Sequence, residues 1–302
     1  MKIVSLLPAA TEIVAALGLG DRLVGRSHEC DFPPGVEALP ALTRARVDSG
    51  LPSAELDEAV RGLYANRLPI YVLDTAGLAG LAPDVVVTQA ACEVCAVSHE
   101  QVVRSLARTA LASEVVTLSP ARLADVLEDV RAVARACGVP ERGDLVAGEL
   151  RRRLDALEVL RSGPRPRVAV VEWLAPPMLA GHWVPDVIEA AGGRYVGPPA
   201  GGPSPYATWD ELRELRPDAV VVAPCGFDLP RTVREATPHL AELRSMAPRV
   251  LILDGNAYLN RPSPRLVEAA ELIASWLGHG RVPGDRAVDA GELRGPEPAA
   301  AS

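Results

Sequence analysis

The feature that most constrains this chain is a break in its rhythm. Short β-branched runs alternate with helical ones over the first 140 residues, stop for one long helical segment, and then start again. Residues 141–161 carry that segment, with Leu145, Leu150, Leu154 and Leu157 on one side, ending at Ser162-Gly163-Pro164. About 20 residues of helix span about 30 Å. Before it, strands are predicted at 3–7, 23–27, 70–73, 84–88 and 114–118. Helices are predicted at 9–17, 54–63 and 98–112, with a further one from an N-cap at Ser119 through Cys137. After it come strands at 168–171, 219–223 and 250–253 and helices at 184–191, 209–215 and 264–277. Strand–helix alternation implies mostly parallel sheets. The expected organisation is an α/β lobe over 1–140, a linking helix over 141–163, a second α/β lobe over 164–280, and a frayed tail over 281–302 that is rich in Gly, Ala, Pro and charge.

Four of the five cysteines fall where a parallel sheet places its ligands, just beyond strand carboxyl ends. Cys30 closes the run 23–30, Cys92 and Cys95 follow the strand at 84–88, and Cys225 follows the one at 219–223; Cys137 sits in a helical run and reads as core. His28, Cys30, Cys92 and Cys95 offer three thiolates and an imidazole, the donor set of a tetrahedral zinc site. Thiolates equally suit copper(I) or an iron–sulfur centre, and the alternative is small half-buried residues packing their turns. Cys225 is a candidate soft ligand or nucleophile.

Aromatic residues make up only 4% of the chain, yet Trp173, Trp183, Trp209 and Tyr258 all lie after strands or in the loops that follow them. Flat apolar faces suit a large planar ligand, and packing between lobes is the alternative. His182, beside Trp183, is a candidate ligand to a metal carried by such a molecule, whereas a loop histidine more often simply hydrogen-bonds. Trp276, at helical spacing, reads as core, and His99 and His239 as surface residues.

The net charge of −8 argues against a nucleic-acid partner. No apolar run is long enough for a membrane span. At the amino terminus, Pro8 and Glu12 interrupt the apolar stretch, which reads as a first strand rather than an export signal. The expectation is therefore a cytoplasmic protein, periplasmic or surface-anchored only if a signal lies upstream.

Several motifs together resemble the cobalamin- and iron-siderophore-type substrate-binding proteins of ABC importers. They are the opening run Ile3 to Glu12, Leu81-Ala82-Pro83-Asp84 leading into a strand and repeated as Leu215-Arg216-Pro217-Asp218, Pro176-Pro177-Met178 followed by Ala190-Ala191-Gly192-Gly193, and Ser263-Pro264-Arg265 opening a helix. The resemblance covers about residues 1–278 and is nearest to the cobalamin branch. It implies two α/β lobes joined by one rigid long helix, with a ligand cleft between them. The small-molecule ligand it implies is cobalamin, another corrinoid or a similar large metal-bearing compound. It also implies, for an exported chain, docking of an ABC permease, with Glu100 as a candidate contact. The cysteine cluster is not part of the transport pattern, and the alternative function is an enzyme on the same scaffold, using a Cys/His metal centre or a reactive thiol.

Overall fold

A computed structural model describes residues 1–90, 99–109, 112–159, 163–282 and 285–293. Its contacts divide the chain into two compact units, one holding residues 1–51, 55–120 and 124–151, the other 52–54, 121–123 and 152–302.

In chain order the first stretch gives β1 (Ile3–Ser5), α1 (Pro8–Ala16), β2 (Leu23–Gly25), β3 (Thr43–Ala45), α2 (Ser53–Ala65), β4 (Tyr71–Leu73), α3 (Thr75–Leu81), β5 (Val85–Gln89), α4 (His99–Thr109), β6 (Glu114–Leu118), α5 (Leu123–Ala136) and α6 (Pro140–Val159). The order β2-β1-β5-β6 forms a wholly parallel sheet. All five residues of β5 are buried, the polar Thr88 and Gln89 included, as in an inner parallel strand covered on both faces. Val4, Leu6 and Val86 pack with Leu42, Leu78, Val102 and Leu106 against the sheet. Pro8 fits the first turn of α1, where its missing N–H would have no partner.

Two expectations for this unit change. The strand near 70–73 pairs not with the parallel sheet but with β3, as an antiparallel two-stranded ribbon registering Thr43 with Leu73 and Ala45 with Tyr71. The helix expected from Ser119 begins only at Leu123. In α6, Ala147, Leu150 and Leu154 are buried while Leu145 is 74% exposed. At 3.6 residues per turn Leu145 sits about 140° from Leu150, off the buried stripe.

The second stretch gives β7 (Arg167–Leu174), β8 (Pro177–Leu179), α7 (Val184–Ala190), β9 (Arg194–Tyr195), α8 (Trp209–Glu214), β10 (Ala219–Val222), α9 (Leu229–Ala236), α10 (Leu240–Met246), β11 (Arg249–Leu253), α11 (Gly255–Tyr258), α12 (Arg265–His279) and β12 (Ala287–Asp289). Its sheet runs β12-β11-β10-β7-β8, with β9 beside the start of β7. The inner pairs β11-β10-β7 are parallel, and β8 and β12 flank them antiparallel. β12 replaces part of the expected frayed tail. Leu251, Ile252 and Leu253 pair with it, Ala290 is buried, and the Trp276 indole donates to Asp289 at 2.9 Å.

The repeated Leu-x-Pro-Asp motif performs the same task in both units. Ala82 and Arg216, its second residues, both adopt φ of 46°. The aspartate that follows then grips the start of the neighbouring strand from two sides. Asp84 accepts from the backbone N–H of Lys2 at 2.7 Å and donates its own N–H to the Lys2 carbonyl; Asp218 does the same with Arg167, also at 2.7 Å.

Candidate ligand-binding site

Hydroxyl groups crowd the carboxyl ends of β1 and β2. Ser5, Thr11, Ser27 and Thr43 are all buried. Thr11 Oγ1 lies 2.8 Å from Ser5 Oγ and 3.0 Å from Cys30 Sγ. Thr43 Oγ1 is a hub, accepting the His28 N–H at 3.0 Å and lying 2.7 Å from His28 Nδ1 and 3.0 Å from Ser27 Oγ. The Tyr71 hydroxyl donates to Glu29 at 2.9 Å, and its ring stands 5.5 Å from the imidazole of His28. Burial first, and the nearby Arg26 cation second, hold the His28 imidazole below its ordinary value. His28 is therefore neutral at pH 7.

Cys30 is 1% exposed and occupied with packing and Thr11. Cys92 and Cys95 lie outside the described residues. Among the described residues no group of three or more His, Cys, Asp and Glu side chains could hold a metal ion. The zinc or iron–sulfur expectation thus gains no support, and His28 and Cys30 act there as hydrogen-bonding and packing residues. Cys137 is buried, which pushes its thiol up to about 11, with Glu114 adding to the effect.

The second sheet presents aromatics and cations instead. Beyond β10 the chain passes Cys225, which is exposed, to Phe227, which is buried. The Phe227 ring packs 5.1 Å from that of Trp173 on β7, tilted by 49°, and the Arg231 guanidinium lies over the Phe227 ring at 3.6 Å. Arg is the cation that stacks best on such a face. After β11, Tyr258 is buried with Arg265 4.8 Å above its ring. Gly255 is required here, since a Cβ would collide with the Pro224 carbonyl.

Trp183 and His182 occupy the loop between β8 and α7, both half-buried. The Trp183 indole donates to the Leu259 carbonyl at 2.8 Å, tying this loop to the backbone beyond β11. His182 adopts a left-handed φ of 50°. Its N–H donates to Gly202 at 2.7 Å and its carbonyl accepts from Gly201 at 2.8 Å. Gly181 admits this close approach, because a Cβ there would meet the backbone of Gly202 and Pro203. Burial lowers the His182 imidazole from its ordinary value.

The structure thus brings Trp173, Cys225 and the turn holding Tyr258 to the carboxyl ends of β7, β10 and β11, and links Trp183 to that last turn. Trp209 does something else: it packs against the core beneath α8 and stacks 5.2 Å from His239, so His239 is half-buried rather than simply at the surface. Sequence reasoning missed Phe227, although it is one of only two phenylalanines in the chain. It also missed Thr43 and Tyr71, whose roles depend on the small ribbon that no periodicity announces.

The chain thus holds two α/β units, each built on a largely parallel sheet with chemically distinctive side chains beyond its strand ends. The chain belongs to the periplasmic binding protein family, whose sequence model matches residues 3–239. It is 25% identical over 279 residues, 91% of this chain and 88% of the other, to the vitamin B12-binding protein of Vibrio cholerae serotype O1. In fold it is similar to the periplasmic vitamin B12 binding protein of Vibrio cholerae, with a TM-score of 0.65 at 21% identity over 92% of this chain and 96% of that one. It is likewise similar to a periplasmic heme binding protein from Pseudomonas aeruginosa, with a TM-score of 0.69 at 20% identity over 95% and 94% of the two chains.

These findings overturn the cytoplasmic expectation. The matching family is described as that of periplasmic binding proteins, and these solved relatives are periplasmic. The first few residues of the sequence do not by themselves decide the compartment. Among the described residues no helix is long and apolar enough to cross a membrane. Neither the family nor the described residues support the enzyme alternative.

Proposed function

We propose that this protein binds a cobalamin-type corrinoid for delivery to an ABC permease, with Trp173, His182, Trp183, Cys225 and Tyr258 serving its ligand site. The observation that carries this reading is the match to a vitamin B12-binding protein over 91% of the chain. The aromatic character of the second unit supports it. Trp183 keeps part of its ring exposed while its N–H is fixed on Leu259, so it can offer a flat face without losing further freedom. Trp173 and Tyr258 are buried behind their own partners and brace the site rather than form its surface. Glu100, exposed in the first turn of α4, is the candidate permease contact.

Titration with cyanocobalamin, followed by calorimetry and by quenching of tryptophan fluorescence, tests the reading. Saturable binding with quenching is expected. Trp183→Ala should weaken it about tenfold, equivalent to about 1.4 kcal/mol. No heat and no quenching at high micromolar ligand would end the corrinoid reading. Hemin in a parallel titration identifies the other flat metal macrocycle that a similar fold is known to hold.

A further inference from the structure

Two segments of the second unit that are distant in sequence are fastened to each other. One is the turn after β10, residues 223–228, and the other runs from the end of β11 through α11 to residue 261. The backbone N–H of Asn256 donates to the Phe227 carbonyl at 3.0 Å. The side-chain amide of Asn260 donates to the Ala223 carbonyl, also at 3.0 Å. On the first of these segments the Cys225 N–H donates to the Glu172 carbonyl of β7 at 3.1 Å. Of these ties, only the Asn260 amide can be removed without altering the backbone. Ala223 is fully buried, so solvent cannot take the place of that amide at its carbonyl.

The same asparagine adjoins the anchor of Trp183. The Trp183 indole donates to the carbonyl of Leu259, one residue before Asn260, and the Asn260 N–H donates to the Gly255 carbonyl at 3.1 Å. We infer that Asn260 is a positioning residue for the ligand site, locking Trp183 in register with the turn that exposes Cys225. The inference rests on the corrinoid reading above and adds to it the side chain that sets the site's geometry. Groups fixed in advance spare the ligand the ordering of a loop, so losing the tie lowers affinity while every candidate contact residue remains.

Asn260→Asp keeps the volume but replaces the donor with a carboxylate that repels the Ala223 carbonyl. Its affinity for cyanocobalamin should fall about fivefold, since the preset geometry is lost. Trp183→Phe removes the indole N–H and with it the bond to Leu259. In that background Asn260→Asp should cost less than about twofold more, because residues that act through one another are not additive. With 5-fluorotryptophan incorporated, the fluorine resonance missing from Trp183→Phe should shift or broaden in Asn260→Asp, while those of Trp209 and Trp276 stay in place. Asn260→Ala, which loses the donor without adding charge, should show the same pattern and serves if the melting temperature shows the aspartate variant unfolded. An unmoved Trp183 resonance, or equal losses of affinity in the two backgrounds, would overturn the inference and leave the corrinoid reading standing. If the wild type does not bind cyanocobalamin, the corrinoid reading fails and takes with it the part of Asn260 in ligand binding, whatever the resonance shows.

Discussion

The carboxyl end of the first sheet is held by hydroxyl groups, whereas that of the second is held by packed aromatic rings and cations. In the first, Ser27, His28 and Thr43 share protons around a single oxygen, and Ser5, Thr11 and Cys30 form a second small cluster. In the second, Phe227 packs tilted against Trp173 and under Arg231, and Tyr258 lies beneath Arg265. One topology supports both because a parallel sheet fixes only where loops emerge, not what they carry. Hydrogen bonds exchange for similar bonds to water on unfolding, so each contributes little net. Buried rings have no such replacement.

The contrast can be broken by substitution. Phe227→Ala should cost about 3–5 kcal/mol, read as a lower urea midpoint, because it opens a cavity between Trp173 and Arg231. Thr43→Val, which removes the hub oxygen but keeps its volume, should cost about 1–3 kcal/mol by leaving His28 and Ser27 without this partner. Equal losses for the two would show that the hydroxyl cluster is as important to stability as the packed rings.

Acid sharpens the difference. The unfolded His28 takes up a proton near its ordinary value of 6.5, while the folded one, shielded by burial and opposed by Arg26, resists to lower pH. Folding stability should therefore fall as pH drops below 6.5 and level off once the folded imidazole also protonates. His28→Gln should flatten part of this limb in unfolding curves taken at pH 7.5 and 5.5, and NMR titration of the ring would locate it. The smallest effect is expected at α8, where Thr208 and Glu211 form a reciprocal cap; Thr208→Ala should cost about 1 kcal/mol.

Much of the architecture was legible because buried parallel strands are nearly continuous β-branched runs: β6 and β10 begin where Val-rich stretches begin. The paired Leu-x-Pro-Asp motifs were visible as a repeat, although their hydrogen bonds to Lys2 and Arg167 were not. Elements without such runs escaped. Thr43-Arg44-Ala45 has no alternation, and β12 consists of Ala287, Val288 and Asp289 inside a charged stretch. α9 went unread despite Asp228 as its cap and Pro230 in its first turn, both ordinary helix-start signals. At the site, aromatic scarcity drew attention to Trp173 and Trp183, but sequence distance could not reveal that Trp209 packs on His239 or that Cys30 is buried.

The strand β12 has a practical consequence for anyone who shortens this protein. Its sequence invites trimming at about residue 281, yet removal would uncover the backbone of Leu251, Ile252 and Leu253 along an apolar rim and take away the carboxylate that the Trp276 indole donates to. An unpaired hydrophobic edge is a template for self-association. A version ending at residue 281 should therefore precipitate or form soluble multimers, visible by size-exclusion chromatography, whereas one ending at residue 293 should not.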